Sequence, residues 1–241
     1  MPNLFKSSRP DRSRSLPPDI DAATRAIVEA VAPFTMTSPE RIVALRDAVR
    51  HACRHRIPGD IVECGVWRGG SMMAAALALL ELGERRTLHL FDTFEGMPPP
   101  GDVDRDIAGV PAAGLLAAED RQTGDTWAWS PLEDVRANVL STGYPAKFVR
   151  FVPGRVEETI PAHAPERIAV LRLDTDWYES TRHELEHLFP RLAVGGVLII
   201  DDYGHWQGAR RAVDEYLAST GTRLFLSRID YTGRLAIKID P

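Results

Sequence analysis

The sequence contains little cysteine: Cys53 and Cys64 are the only two among 241 residues. They form neither a C-x-x-C pair nor the paired spacing of a zinc site. Small proteins that depend on disulfides carry many more cysteines, and disulfides persist in oxidising compartments. The scarcity therefore argues against a disulfide framework and a cysteine-bound metal, and it predicts a reduced, cytoplasmic protein.

Long apolar runs and an excess of positive charge are also absent. The longest apolar run, 72–80, covers about half of the roughly 18 residues that a membrane span needs. The 29 Lys and Arg residues face 34 Asp and Glu residues, a formal net charge of −5, which favours neither nucleic acid nor an anionic membrane as partner. Residues 7–18 are basic and lack the apolar stretch of a signal peptide, so we expect 1–17 to form a mobile arm.

Helical periods alternate with short apolar runs over the rest of the chain, which predicts one domain over 18–241. The predicted helices span 39–56, 71–82, 131–140, 181–192 and 207–218, and the predicted strands span 60–64, 87–91, 147–152, 168–173 and 197–200. Thr181 and Glu184 have the spacing of a capping box at the start of their helix. Segments around Leu224 and Ile237 predict a closing hairpin. This order is typical of an α/β fold with a mostly parallel sheet, helices on both faces and a C-terminal antiparallel hairpin.

The stretch 97–130 interrupts the alternation. It contains Pro98, Pro99 and Pro100 and ends near Trp127 and Trp129. A connection of this length in a compact domain is usually functional, often as a lid, although it also fits a disordered surface loop. The two tryptophans favour a lid that covers an acceptor site.

Acidic residues follow four of the predicted strands. They are Glu63, Asp92, Asp174 with Asp176, and Asp201 with Asp202. The carboxyl ends of parallel strands meet at one edge of a sheet, where ligands bind. One such acid alone would be a capping or surface carboxylate. So many acids on one edge repel each other unless a cation or a hydroxyl-rich ligand lies between them.

The first of these strands leads into a glycine-bearing turn, Glu-Cys-Gly-Val-Trp-Arg-Gly-Gly-Ser over 63–71. The dinucleotide fingerprint G-x-G-x-x-G is not matched, because residue 67 is Trp. Glu63, two residues before Gly65, suits a ligand with a positive amino group. Asp92 at the end of the next strand can accept two hydrogen bonds from a ribose diol. The turn therefore indicates a nucleoside ligand other than NAD.

Four segments of the chain carry a resemblance to known proteins. They are Phe-Thr-Met-Thr-Ser-Pro-Glu at 34–40, the turn at 63–71, Phe-Asp-Thr-Phe-Glu-Gly-Met-Pro at 91–98 and Asp-Asp-Tyr-Gly at 201–204. In these segments the chain resembles the macrocin-type O-methyltransferases. The family consists of class I, S-adenosylmethionine-dependent enzymes that methylate sugar hydroxyls on macrolides, aminocoumarins and related products. The resemblance extends from about residue 34 to 238 and implies the Rossmann-like class I methyltransferase fold.

The resemblance also implies roles for individual residues. The methyl donor would be held by Thr35, Met36, Thr37, Glu63, Gly65, Ser71, Asp92 and Asp174, with Gly154 and Val156 near the adenine. Magnesium would be held by Asp174, Asp201 and Asp202, and Asp176 would be the general base. Independently of the family, three carboxylates at neighbouring strand ends suit Mg²⁺, which prefers oxygen ligands. The family further implies a small glycoside acceptor and a homo-oligomer, a dimer or larger.

Aromatic residues beside the acids are candidates for contacts with the acceptor sugar. They are Trp177, Tyr178, His205 and Trp206. Core or surface packing explains them equally well. His205 is also an alternative to Asp176 as the base, and the resemblance favours Asp176.

Together these features predict Mg²⁺-dependent methyl transfer from S-adenosylmethionine to a sugar hydroxyl of a glycosylated natural product. Two alternatives stay open. Asp174-Thr175-Asp176 is a D-x-D sequence of the kind that metal-dependent glycosyltransferases use for nucleotide-sugar phosphates, but the glycine turn and Asp92 disfavour it. The other alternative is a non-catalytic module that only binds S-adenosylmethionine.

Overall fold

A computed structural model describes residues 16–240, and within them the chain forms one seven-stranded sheet. The strand order is β3-β2-β1-β4-β5-β7-β6. The strands are β1 (Asp60–Cys64), β2 (Leu88–Asp92), β3 (Val149–Pro153), β4 (Ile168–Leu173), β5 (Leu192–Ile200), β6 (Ser227–Arg228) and β7 (Arg234–Ile237). The pairs among β1 to β5 are parallel, whereas β7 pairs antiparallel with β5 and β6. The predicted α/β fold class with its C-terminal antiparallel hairpin is confirmed.

Helices cover both faces of this sheet. They are α1 (Ala22–Val31), α2 (Pro39–Arg54), α3 (Gly70–Glu81), α4 (Ala112–Ala118), α5 (Leu132–Ser141), α6 (Val156–Thr159), α7 (Tyr178–Leu188) and α8 (Gln207–Thr220). Residues of α1, α2, α3 and α5 share one apolar cluster with the sheet, and residues of α6, α7 and α8 share another. Each face of a strand such as β4 is therefore buried, which explains its nearly continuous apolar sequence.

Two details of the predicted helices differ from the structure. Helix α7 begins at Tyr178 after Trp177, and no side chain caps it, so the predicted capping box of Thr181 and Glu184 is wrong. Glu184 is buried inside the helix and accepts a hydrogen bond from Thr175 Oγ1 at 2.9 Å. Helix α1 was not predicted. Its N-cap is Asp21, which accepts the Thr24 backbone N–H.

The parallel strands end level with one another. Cys64 of β1 pairs with Phe91 of β2 and with Leu173 of β4, and Leu173 pairs with Ile200 of β5. Side chains that follow these residues are therefore delivered to one edge of the sheet. This edge is the place where ligands bind in open parallel sheets.

The segment 97–130, called the covering segment below, packs onto the start of α7 and α8. Its α4 contributes Ala112 and Leu116 to a small apolar cluster with Trp177, Trp206 and Ala209. Opening and closing of this segment as a lid stays a prediction.

The N-terminal arm predicted over 1–17 lies outside the described residues except for its last two. One of these, Leu16, packs against the cluster beneath α1 to α3. Among the helices of residues 16–240, none combines the length and apolarity of a membrane span.

Candidate active site

Five carboxylates form an acidic rim at the carboxyl edge of the sheet: Glu63, Asp174, Asp176, Asp201 and Asp202. The first acid after β4 and the first after β5 continue the ladder of the sheet, because Asp174 N donates to Cys64 O at 2.8 Å and Asp201 N donates to Leu173 O at 2.9 Å. Backbone pairing thus fixes where both carboxylates lie. The sequence prediction that these acids converge agrees with this geometry.

A buried guanidinium lies beneath the rim. Arg172 is 2% exposed. It donates to Glu63 Oε1 at 2.5 Å, to Asp174 Oδ2 at 2.6 Å and to Asp201 Oδ1 at 2.6 Å. Arg172 was not predicted as a site residue from the sequence, although an arginine within an otherwise apolar, buried strand needs buried counter-charges. That requirement was the available signal.

A second arginine joins the rim to the C-terminal hairpin. Arg41, in the first turn of α2, pairs with Asp201 and with Asp230, whose Oδ2 is 3.0 Å from Arg41 Nε. Burial disfavours ionisation of Asp201, but Arg172 and Arg41 outweigh it and lower the pKa of this carboxyl below its usual value. Thr37 Oγ1 also donates to Asp201 Oδ2 at 3.1 Å. Asp201 is thus an ionised group surrounded by donors.

Asp174, Asp176 and Asp202 form the tightest cluster of the rim, each with a carboxylate oxygen within 4.8 Å of the others. Burial, reinforced by the charge of Asp174, raises the pKa of Asp176 to about 7. Burial and the charges of Asp176 and Asp201 raise the pKa of Asp202 well above its usual range. Carboxylates this close repel one another, and the raised pKa values express that cost.

This oxygen-rich cluster fits a hard divalent cation, whose charge would offset the repulsion among the carboxylates. The geometry differs in one respect from the predicted magnesium ligands, which were Asp174, Asp201 and Asp202. Asp174 and Asp202 lie in the cluster as expected. Asp176, predicted to be the base, takes the third place, while Asp201 faces Arg41 and Arg172.

The glycine turn brings the start of α3 close to the rim. Gly65 has a φ of +81°, and a Cβ there would lie 1.9 Å from the carbonyl oxygen of Asp174. A Cβ on Gly70 would lie 2.6 Å from the carbonyl oxygen of Phe34, so this turn also packs against the segment that precedes α2. Ser71 follows, buried in the first turn of α3. Only glycine permits both approaches.

Only one of the two carboxylate oxygens of Glu63, Oε1, accepts a hydrogen bond from Arg172. Its Oε2 is buried and has no hydrogen-bond partner within residues 16–240. Burial raises the pKa of Glu63 to about 7, although Arg172 acts in the opposite direction. An unpartnered buried acceptor of this kind is costly unless a ligand supplies a donor.

Asp92 has a role that the sequence did not predict. Its Oδ2 accepts the backbone N–H of Val66 at 2.6 Å and of Trp67 at 3.2 Å, and its Oδ1 accepts Phe94 N at 2.7 Å. Asp92 thereby holds the glycine turn in shape. A contact with a ribose stays a prediction.

The remaining predicted donor contacts surround the same turn. Gly154, with a φ of +130°, donates its N–H to the carbonyl of Asp92 at 2.9 Å, and Val156 is buried at the start of α6. On the other side, Thr35 is buried and its Oγ1 accepts Thr37 N at 3.1 Å, with Met36 half-buried between them. These residues flank the turn from two directions.

The four aromatic candidates divide into different environments. Trp177 and Trp206 are buried against each other with ring centroids 4.9 Å apart, and Trp177 Nε1 donates to Pro98 O at 3.0 Å. Tyr178 donates its hydroxyl to Glu215 of α8 at 2.6 Å. His205, half-buried, has its Nδ1 3.3 Å from the Tyr231 hydroxyl and its backbone N–H on Asp202 O at 3.0 Å. The two indoles anchor the covering segment, and His205 adjoins the rim.

One buried acid that was not predicted from the sequence attaches the covering segment to α7. Asp104 is 2% exposed, its Oδ1 accepts Tyr178 N at the start of α7 at 2.8 Å, and its Oδ2 accepts Gly101 N at 2.7 Å. A Cβ on Gly208 of α8 would lie 1.9 Å from the same Oδ1. The absence of a side chain at Gly208 is therefore what admits Asp104.

Comparisons with known proteins agree on one family. The family model described as Macrocin-O-methyltransferase (TylF) matches residues 7–236. The chain is 40% identical over 204 residues to 8-demethyl-8-(2,3-dimethoxy-alpha-L-rhamnosyl)-tetracenomycin-C 4'-O-methyltransferase of Streptomyces olivaceus, covering 83% of this chain and 73% of the relative. It is 37% identical over 201 residues to mycinamicin III 3''-O-methyltransferase of Micromonospora griseorubida, covering 83% and 76%. The structure of the O-methyltransferase NovP superposes with a TM-score of 0.75 at 34% identity, covering 86% of this chain and 83% of that one.

Proposed function

Because the chain belongs to the macrocin O-methyltransferase family, we propose that it methylates a sugar hydroxyl of a glycosylated natural product with the help of a divalent cation. The predicted enzyme class, an S-adenosylmethionine-dependent O-methyltransferase, is confirmed by this membership. Glycosyl transfer through Asp174-Thr175-Asp176 and a non-catalytic binding module are not supported. The acceptor class and the cation are the proposed part.

The acidic cluster next to Glu63 is the observation that carries the proposal. Glu63 offers a free buried oxygen, and Asp174, Asp176 and Asp202 offer oxygens within 4.8 Å of one another. Arg172 Nη1 joins the two places, because it contacts both Glu63 Oε1 and Asp174 Oδ2. One suits the ammonium group of the methyl donor and the other suits Mg²⁺. The names of the two relatives place their methyl groups on a 4'-oxygen and a 3''-oxygen of glycosylated compounds.

The donor site is proposed from the residues around the glycine turn. Glu63 Oε2 accepts from the donor ammonium, while Thr35, Met36 and Thr37 close over the methionine end. Gly65 and Ser71 line the turn, Asp92 reaches the ribose, and Gly154 and Val156 flank the adenine. The structural support is that these residues surround one turn held by Asp92.

For the cation, Asp174 and Asp202 are ligands in every arrangement that we consider. The family resemblance supplies Asp201 as the third ligand and leaves Asp176 as the base. The cluster geometry supplies Asp176 instead. We retain the family-based assignment, because Asp176 lies two residues past Asp174 and therefore farther from the end of β4, where it could face an acceptor hydroxyl. His205, beside Asp202, is then the alternative base.

When bound, the cation would stabilise negative charge on the acceptor oxygen. Asp176, whose pKa is raised to about 7 by burial and by Asp174, takes the hydroxyl proton on its carboxylate. The acceptor oxygen then bonds to the methyl carbon as the bond from that carbon to the donor sulfur breaks. The products are the methyl ether and S-adenosylhomocysteine. The rim orients both reactants, and the covering segment excludes water.

Calorimetry with two candidate ligands tests this function. S-adenosylmethionine and UDP-glucose are each titrated with and without Mg²⁺, and mass spectrometry then follows methylation of mycinamicin III and of other glycosides. We expect donor binding and cation-dependent methylation of a glycoside. Binding of UDP-glucose alone would contradict the proposal, and donor binding without turnover on any glycoside would indicate a sensor. That the protein is a homo-oligomer and that it is cytoplasmic both stay predictions. Light scattering would measure the oligomeric state.

A further inference from the structure

Arg172 lies in the centre of the sheet, where a charge is expensive. It is in register with Glu63 of β1 on one side and with Ile199 of β5 on the other, and its side chain is buried. A guanidinium in such a place persists only when its hydrogen-bonding capacity is well used. Its partners therefore reveal what the position is for.

Each terminal nitrogen of Arg172 has two partners. Nη1 donates to Glu63 Oε1 at 2.5 Å and to Asp174 Oδ2 at 2.6 Å. Nη2 donates to Thr37 Oγ1 at 2.9 Å and to Asp201 Oδ1 at 2.6 Å. Glu63 and Thr37 belong to the proposed donor site. Asp201 belongs to the proposed cation site together with Asp174, which the family resemblance also assigns to the donor. Both nitrogens thus connect one residue of each site.

Arg46 shows what an arginine without such connections looks like. It is also buried, at 1% exposure, and pairs with Glu81 at 2.9 Å and more loosely with Asp21. Those two carboxylates are 38% and 53% exposed and lie on α3 and at the start of α1. Arg46 joins helices, whereas Arg172 joins two groups of residues that await ligands.

We propose that Arg172 is a positioning residue that couples binding of the methyl donor to binding of the divalent cation. The inference rests on the proposed function. A cation that fixes Asp174 and Asp201 also fixes the plane of the guanidinium, and the same plane then holds Glu63 and Thr37 in place for the donor. Either ligand thereby lowers the ordering cost of the other, so the coupling is positive and reciprocal.

A lysine at this position separates charge from geometry. The ammonium group keeps the positive charge, but its single nitrogen cannot provide the two parallel edges of a guanidinium. If charge alone mattered, Arg172→Lys would retain the coupling. If the forked geometry matters, the coupling disappears while each ligand still binds.

The test measures the affinity of S-adenosylhomocysteine by calorimetry in EDTA and in saturating Mg²⁺. This probe carries one ammonium and one carboxylate, so its net charge is zero and direct repulsion by the cation does not set the sign. In the wild type we expect Mg²⁺ to tighten its binding about tenfold. Arg172→Lys is expected to reduce that ratio to about one, whereas the control Arg46→Lys retains the tenfold ratio even if its melting temperature falls.

A second pair of variants covers the case in which Arg172→Lys does not fold. Thr37→Val removes one of the four partners and is expected to lower the ratio, and Thr37→Ser keeps the hydroxyl and the ratio. The inference would be overturned if Mg²⁺ tightened S-adenosylhomocysteine binding as much in Arg172→Lys as in the wild type. If Arg172→Lys does not fold, the same result in Thr37→Val would overturn it. So would a wild type that binds both ligands without linkage. A wild type that binds neither would overturn the proposed function instead.

Discussion

The acidic rim and the covering segment are held in place in different ways. Rim carboxylates follow directly from parallel strands, so the sheet itself sets their positions, and Arg172 ties three of them together from below. The covering segment depends on a few distant anchors, chiefly Asp104 on the start of α7 and Trp177 on Pro98. The carboxylates proposed for the chemistry are therefore positioned by the sheet, whereas the segment proposed to cover the acceptor is attached to the sheet by side-chain contacts. Changes in the rim should therefore alter chemistry or donor binding, and changes in the anchors should alter acceptor binding.

The largest effect is expected for Asp202→Asn, which has nearly the same shape but lacks the negative charge. We expect cation-dependent kcat to fall at least about 100-fold, because the loss weakens the cation site and the alkoxide it stabilises. The affinity for S-adenosylhomocysteine in EDTA should stay within about twofold, since Asp202 is not part of the proposed donor site. Asp134→Asn on the exposed surface of α5 is the control. Unchanged Mg²⁺ affinity and activity in Asp202→Asn would refute the assignment of Asp202 as a ligand of the cation.

The next largest effect is expected for Asp92→Ala. The change removes the acceptor for three backbone N–H groups of Val66, Trp67 and Phe94. The glycine turn should loosen and the affinity for S-adenosylhomocysteine should fall about 10- to 100-fold, measured by calorimetry. Asp60→Ala is a matched control. Asp60 is the first residue of β1, at the end of the strand opposite the rim, and it pairs with His89 of β2. Equal affinities in Asp92→Ala and the wild type would mean that the turn does not bind the donor.

The affinity of the proposed donor site should depend on pH, because Glu63 is part of that site. Burial raises the pKa of Glu63 to about 7, against the effect of Arg172. The ionised carboxylate is the form that accepts hydrogen bonds from an ammonium group. The affinity for S-adenosylhomocysteine in EDTA should therefore be higher above about pH 7 than below it. In Glu63→Gln the affinity should be weaker, without this dependence. A wild-type affinity that is flat between pH 6 and pH 8, buffers varied at about constant ionic strength, would show that Glu63 does not contact the ammonium.

The rim could be predicted from the sequence better than the contacts of the covering segment. The acids of the rim were predictable because an apolar strand followed by Asp or Glu places that side chain at the carboxyl edge, whatever the distant contacts are. Arg172 could have been predicted to need partners, but not which ones, since Glu63 and Asp201 are far away in the chain and meet it only through strand order.

Asp104, in contrast, was beyond a sequence prediction. Its partner is the backbone N–H of Tyr178, 74 positions away, and the space that admits it depends on Gly208 of a third element. No local period or spacing encodes such a meeting. The same holds for Trp177 and Trp206, which were predicted with equal weight as sugar contacts and as packing residues. Their burial against α4 follows from where the covering segment lies.

The smallest effect is expected for Gly208→Ala, which tests the attachment of the covering segment. The new methyl group would lie 1.9 Å from Asp104 Oδ1, so either the carboxylate must turn away from Tyr178 N or α8 must shift. Because the rim is placed by the sheet, we expect kcat and the affinity for S-adenosylhomocysteine to stay within about twofold, while KM for the glycoside rises a few-fold, about 1 kcal/mol. Steady-state kinetics measure kcat and KM, and hydrogen exchange over 97–130 measures how firmly the covering segment is attached.

Gly114→Ala is the matched control, since Gly114 lies in α4 of the same segment and a Cβ there meets nothing within 4 Å. Alanine in a helix is favoured over glycine by about 0.5 to 1 kcal/mol, so exchange in this variant should slow or stay the same. Faster exchange over 97–130 in Gly208→Ala alone, together with a higher KM, would show that Asp104 attaches the segment and that the segment contacts the acceptor. If kcat fell along with a weaker donor affinity, the covering segment would be part of the donor and cation machinery, and the separation between the two regions would not hold.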